Sequence, residues 1–171
     1  MRIALGVVCS AVMLAGCGGA VAGEAAPTER AAGDPVFSPC DDIPDEAIRA
    51  IGMDPATEAR DIMDVHQPGW NICGWNNSTH FLSVFATTYT LDDIRGNDRY
   101  TDFSDLEIDH REMIKYRDRT DTEGGICDVA TRSGSGAVMI SISEAVLARV
   151  PDDPCTLVVE MAGLLVPHIP E

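Results

Sequence analysis

Six cysteines are spread along this 171-residue chain, and how they divide sets the covalent frame of whatever it folds into. Cys9 and Cys17 belong to the N-terminal stretch. There Met1-Arg2 supplies a positive charge, Ile3 to Leu14 forms a mostly apolar run, and Ala15 and Gly16 are small. A positive start, an apolar run of about a dozen residues and a small-residue cleavage zone make a secretory signal. The run falls short of the ~20 apolar residues that a membrane span needs. Cys9 would leave with the leader. Cys40, Cys73, Cys127 and Cys155 remain, an even set in an exported domain, which implies disulfides. Four cysteines allow three connectivities, and spacing alone does not choose among them. We prefer Cys40 with Cys73 and Cys127 with Cys155, because each bond then ties an end helix to a nearby strand. Each would close a loop of about thirty residues, worth ~3.5 kcal/mol in the chain-entropy account. No C-x-x-C pair and no Cys-x-x-His spacing occurs, which argues against a zinc site.

The end of the apolar run assigns Cys17. Leu14-Ala15-Gly16-Cys17 resembles the bacterial lipobox, in which the peptidase cuts just before the cysteine. That resemblance implies a thioether-linked diacylglycerol on Cys17 and a protein held by lipid on the outer face of the cell membrane. Two acyl chains are what stable anchoring needs. An ordinary secretory signal, with Cys17 free or disulfide-bonded, is the competing reading. The expected organisation is a signal peptide at 1–16, a lipidated flexible tether at 17–35 and one domain at 36–171. The tether, GGAVAGEAAPTERAAGDP after Cys17, is small and polar and lacks aromatic residues.

Removing residues 1–16 takes away Arg2 and no acid, so 11 basic and 28 acidic residues remain, a net charge of −17. Such a charge argues against electrostatic binding of nucleic acid or an anionic lipid surface.

The domain reads as α+β. IPDEAIRAIG is expected as a short helix with Pro44 in its first turn, Gly52 as its stop, and Ala47, Ile48 and Ile51 as its apolar face. A polar stretch with Pro55 and Pro68-Gly69 as breakers follows. NICGW and HFLSVFATTYT read as strands joined around Asn76-Asn77-Ser78. Phe81, Phe85 and Tyr89 fall on one face of the second, and Leu82, Val84 and Ala86 on the other, so it is expected to be central and covered on both sides. TLDDIRGN is a short helix with Thr90 as candidate cap. DLEI and REMIKYRD form a hairpin turning at Asp109-His110. ICDVATR and AVMISIS form another, turning at Ser133 to Gly136, with Val138, Ile140 and Ile142 marking a buried face. The last element is a helix from Pro154 to about Val166, capped by Asp153. Its Leu157, Val158, Met161, Ala162 and Leu165 lie on one face. The sum is an antiparallel sheet with N- and C-terminal helices packed on it.

Four pieces together carry a family resemblance. They are the lipobox with its tether, SPCDDIPDEAIRAIGM near the domain start, CGW at Cys73 to Trp75, and DDPCTLVVEMAGLLVP at the end. In this order they resemble a family of exported actinobacterial lipoproteins, the domain of unknown function 3558. There the first helix usually ends in Gly-Leu, where this chain has Met53. The resemblance implies paired disulfides and an envelope location and no catalytic residue. Fold analogy adds similarity to the Mog1/PsbP-like α/β/α sandwiches, which by itself carries no function.

Candidate chemistry is sparse. His66, His80, His110 and His168 show no metal-ligand pairing such as H-x-x-x-H, and each reads as structural. Ser133 to Gly136 lacks the strand-to-helix elbow of a serine nucleophile. Carboxylate pairs are too abundant to mark a glycosidase, and no EF-hand pattern is present. Trp70 and Trp75, flanking Cys73, are the candidate binding surface; the alternative is packing of one on a disulfide. The expected function is binding, of an envelope protein partner or of a small apolar ligand held between sheet and helix, with no enzyme activity and no cofactor. An envelope hydrolase or a purely structural accessory subunit are the alternatives.

Overall fold

Period-two apolar patterning in the middle of the chain produces a seven-stranded sheet. The structure, a computed structural model, describes residues 33–145 and 153–171. All of these belong to one unit, Ala31–Glu171. The expectations for the signal peptide, Cys17 and most of the tether lie outside the described residues.

The elements run α1 (Pro39–Asp42), α2 (Asp45–Ala50), β1 (Asp54–Arg60), β2 (Trp70–Asn76), β3 (His80–Thr87), α3 (Leu91–Arg95), β4 (Tyr100–Ile108), β5 (Arg111–Asp118), β6 (Ile126–Ser133), β7 (Gly136–Glu144) and α4 (Pro154–Leu165), with a closing 3₁₀ turn at Val166–His168. The sheet order is β1-β2-β3-β7-β6-β5-β4, and every pairing is antiparallel. β3 and β7 pair in full register from His80↔Glu144 to Thr87↔Ala137, joining the two halves of the sheet.

Alternation along the strands sorts side chains to two faces. One carries Cys73, Trp75, Leu82, Val84, Met113, Cys127, Val129, Ile140 and Ile142, packed with Ile48 of α2 and with Val158, Met161, Ala162 and Leu165 of α4. All of these are buried. The opposite face carries Ile114, Tyr116, Ala130, Ala137 and Met139 beneath Leu91 and Ile94 of α3. Among the described residues only this short helix sits there, and Phe81 on that face is 47% exposed. β3 is central, as expected, but is fully covered on the Leu82, Val84 and Ala86 side alone.

The expected short N-terminal helix forms as α2. Pro44 is the N-cap of α2, not a first-turn residue, and an extra turn, α1, precedes it. The stop at Gly52 forms as read, with φ of +79°. Met53 donates to the carbonyl of Ile48 and Gly52 to that of Arg49, which closes the helix in a Schellman motif. Thr90 caps α3 in a reciprocal box with Asp93. Asp153 caps α4 by accepting from the Thr156 amide at 3.1 Å.

The polar stretch after Gly52 is not a plain loop. It holds β1, an edge strand that pairs with β2 through a register shift between Asp54 and Ala59. Both hairpin turns fall where expected. Asp109 and His110 have φ of +50° and +63°, as a two-residue type I′ connection demands. Gly136 begins β7 because nothing larger fits: a Cβ there would stand 2.0 Å from the Thr87 carbonyl oxygen.

Both disulfides join the preferred partners. Cys40 of α1 bonds Cys73 of β2, and Cys127 of β6 bonds Cys155 of α4. Each therefore ties a helix at one end of the chain to the sheet. No described helix is long and apolar enough to cross a membrane.

Candidate functional site

α4 covers the middle of its sheet face, and at its N-terminal end β4 and β5 extend past it. A cleft of about 370 Å³ opens there, lined by Asp102, Ser104, Lys115, Tyr116, Arg117, Asp153 and Cys155. Register explains the arrangement. Lys115 pairs with Val129 and lies opposite Ser104, so it projects from the α4 face of the sheet.

A bulge brings the carboxylate in. Thr101 pairs with Arg117 and Ser104 with Lys115, so Asp102 and Phe103 together stand opposite the single Tyr116. An extra residue of this kind bends the strand and re-aims a side chain. Phe103 packs on the Tyr116 ring at a centroid distance of 5.4 Å. Asp102, left-handed at φ +56°, lines the cleft. Aspartate is one of the few non-glycine residues that adopt this conformation readily.

The charges in the cleft are unequally committed. Arg117 donates to the carbonyls of Gly124 and Ile126, each at 3.0 Å, and to Asp153 at 3.0 Å. Burial pushes the Asp153 carboxyl up, but the hydrogen bonds from Thr156 and Cys155 and the charge of Arg117 outweigh it and hold the group below its ordinary value. The Lys115 side chain, by contrast, makes no hydrogen bond or ion pair among the described residues, and neither does that of Asp102. Lys115 is also the chain's single lysine, the other eleven of its 12 basic residues being arginine.

The residues singled out from sequence lie elsewhere. Trp70 and Trp75 do not share a surface. They sit an odd number of positions apart on β2 and point to opposite faces. Trp75 is 2% exposed, in the same core cluster as Cys73. Trp70 is half-buried against Phe85 and Tyr89, with ring centroids at 6.4 and 5.6 Å. His110 caps a hairpin in solvent, and His80 is buried at the start of β3 with Nδ1 2.9 Å from the Thr79 hydroxyl. His66 stands between Asp34 and Asp61, at 3.2 and 3.5 Å. The hydrogen bond with Asp34 raises the His66 pKa. Asp34 also accepts from the Gly69 amide, and Asn71 donates to the carbonyls of Pro35 and Phe37. These bonds fasten the residues just before α1 to β2 and the β1–β2 connection. His168 is half-exposed in the closing turn.

Cys40, Cys73 and Glu58 lie close enough together to suggest a metal site, but the two sulfurs are spent in a disulfide and offer no thiolate. Ser104 shares the cleft with no histidine, so the cleft does not supply the nucleophile–base pair of a serine hydrolase. What the arrangement offers chemically is a pair of opposite, uncommitted charges in a ligand-sized hollow. A second exposed feature lies in the β1–β2 connection. Ile62, Met63 and Val65 are 54%, 90% and 58% exposed there, around a tight turn in which Val65 donates to the Ile62 carbonyl.

Sequence reading missed the cleft because its residues come from β4, β5 and the start of α4. The one signal for it was Lys115, alone of its kind in the chain. Among known proteins, no curated protein and no solved structure matches the chain. Its residues 12–168 match the family described as Protein of unknown function (DUF3558), and the chain belongs to that family.

Proposed function

We propose that this chain is a lipid-anchored binding protein of the cell envelope, held on the outer face of the membrane through Cys17, and that it recognises a small polar ligand in the cleft beside α4. One observation carries the reading: a hollow of about 370 Å³ in which Lys115 and Asp102 are left without partners among the described residues. Its size falls at the lower end of ligand sites, ~300–1,000 Å³. Uncommitted charge at such a place is poised to pair with a ligand.

The same geometry weighs against carriage of an apolar ligand between sheet and helix. That space is filled by Val129, Ile140, Val158 and Leu165, all with 0% exposure. Docking of an envelope protein is a second reading, favoured by the exposed apolar tip at Ile62, Met63 and Val65. The α2/α4 layer on one face and α3 on the other also support a Mog1/PsbP-like α/β/α sandwich as the finer fold proposal, from which no function follows.

Native mass spectrometry of the full lipidated protein, extracted from its own membrane, tests the cleft. The wild type should carry a bound mass of small-molecule size that Lys115→Glu loses. No bound mass on the wild type, or the same mass on both proteins, overturns the cleft as the binding site. A bound mass of protein size that is lost on Met63→Ser and kept on Lys115→Glu replaces it with the docking reading.

A further inference from the structure

Resting on the cleft as the binding site, we propose that its ligand is a small zwitterion, with its anionic group on Lys115 and its ammonium group on Asp102. The inference starts from charge pairing. The cleft holds two positive and two negative side chains. Arg117 and Asp153 neutralise each other at 3.0 Å, and the backbone on both sides holds them in place. That leaves one charge of each sign. Lys115 and Asp102 line the same hollow, yet they form no ion pair with each other among the described residues.

Opposite charges on neighbouring strands of one cleft that do not close on each other make a dipolar receptor. A simple anion entering it meets Lys115 but is repelled by Asp102. A simple cation meets the reverse. A neutral ligand would strip water from both groups and return a partner to neither, which is costly. A ligand with both signs satisfies both groups, and charge-assisted hydrogen bonds of this kind are the strong ones.

The two groups are also held on separate strands by the fold. Asp102 sits in the β4 bulge, whose register is pinned on one side by Thr101↔Arg117 and on the other by Ser104↔Lys115. Phe103, the other residue of the bulge, packs on the Tyr116 ring. Lys115 is half-buried in the strand opposite, and the Ser104 hydroxyl beside it offers a further donor and acceptor for the ligand's anionic end. Asp102 is exposed, and the bulge holds its backbone left-handed at φ +56°.

The single lysine makes the test direct. Full-length lipidated protein in detergent micelles, labelled with ¹³Cε-lysine, gives one lysine side-chain signal. It is titrated with glycylglycine and phosphocholine as zwitterions, with N-acetylglycylglycine as an anion, and with glycylglycine amide as a cation. At least one zwitterion should shift the Lys115 signal saturably. The two singly charged peptides should bind about tenfold or more weaker than glycylglycine if it is the peptide zwitterion that binds, the loss of one charged hydrogen bond. Which zwitterion binds distinguishes a peptide terminus from a headgroup. Asp102→Asn, which tolerates the same left-handed backbone, should weaken the zwitterion by a similar factor and strengthen the anion, whose repulsion by Asp102 it removes. An anion that binds as tightly as the zwitterions overturns the zwitterion and leaves the cleft as the site. Silence toward all four probes, with a Lys115-dependent mass still present in the native spectrum, does the same. Silence in both experiments overturns both proposals.

Discussion

Among the described carboxylates, Asp128 is the one whose surroundings most disturb its chemistry. It lies on β6 with 6% exposure, on the sheet face away from α4 and directly opposite Tyr116. Burial pushes its pKa up to about 6, with Asp118 and Asp121 adding to the shift, while a hydrogen bond with Ser141 and the charge of Arg99 oppose it. The folded protein therefore binds this proton more tightly than the unfolded chain does. Ionised Asp128 costs stability above its folded pKa, and that cost fades as pH falls from about 6 toward the ordinary aspartate value of 3.8. The full cost is up to about 3 kcal/mol at 1.36 kcal/mol per pKa unit. Asp128→Asn keeps the shape and the hydrogen bond with Ser141 and removes the charge. It should raise the urea midpoint at pH 8 by an amount corresponding to about 1–3 kcal/mol, with about half that gain at pH 5 and little at pH 3.5. His66 moves stability in the same direction. Its pKa is raised by Asp34, so its contribution is complete at low pH and is lost as pH rises through the folded value. The difference between the two proteins, and not the slope of either, isolates Asp128. Equal midpoints at pH 8 would show that the carboxylate is not penalised there.

At the scale of elements, the end of the chain is latched by a single side chain. Arg111, at the start of β5, donates to the carbonyls of Ile169, Arg132 and Pro170 at 2.6, 2.5 and 3.0 Å. Gly134 in the β6–β7 turn donates to Glu171 at 3.0 Å, so both hairpin ends grip the segment that follows α4. Arg111→Met keeps an apolar stem and deletes every donor. The expected loss is about 1–2 kcal/mol, for partly exposed bonds from a charged group. Denaturant unfolding reads that loss, and faster amide exchange confined to residues 166–171 locates it. Unchanged stability and unchanged exchange would mean that the 3₁₀ turn and buried Ile169 hold the segment without it. Elements of this fold were legible wherever a local rule dominated. Asp153-Pro154, Thr90 and Gly52 marked helix boundaries by capping chemistry, and Val138, Ile140 and Ile142 marked a strand by alternation. β1 was not legible. Its residues, DPATEAR, are mostly exposed and carry Pro55, because an edge strand with one neighbour needs neither apolar alternation nor a full set of amides. The cleft was illegible for a different reason. Asp102 reaches it only through a bulge, and a bulge is a property of two paired strands that neither sequence announces alone.

For the whole molecule, charge and anchor make separable contributions. The chain without residues 1–16 carries a net charge of −17, which a leaflet of anionic lipid repels. Membrane retention under the proposed function therefore falls entirely to the acyl chains on Cys17. Two chains anchor a protein stably where one does not. Binding that rests on apolar chains is insensitive to salt, whereas electrostatic adsorption of a basic protein weakens as salt rises. The wild type should stay with the membrane fraction in low salt, in molar salt and after an alkaline wash. Cys17→Ala should either leave the membrane as a soluble protein or accumulate unprocessed with its leader attached. The two outcomes differ in mass by the leader, so denaturing mass spectrometry of each fraction separates them. A Cys17→Ala protein that is processed at the same bond and remains membrane-bound would transfer the anchor to some other part of the chain. Release of the wild type by salt alone would transfer it to a basic partner surface, and the acidic domain, not Cys17, would then hold the protein in place.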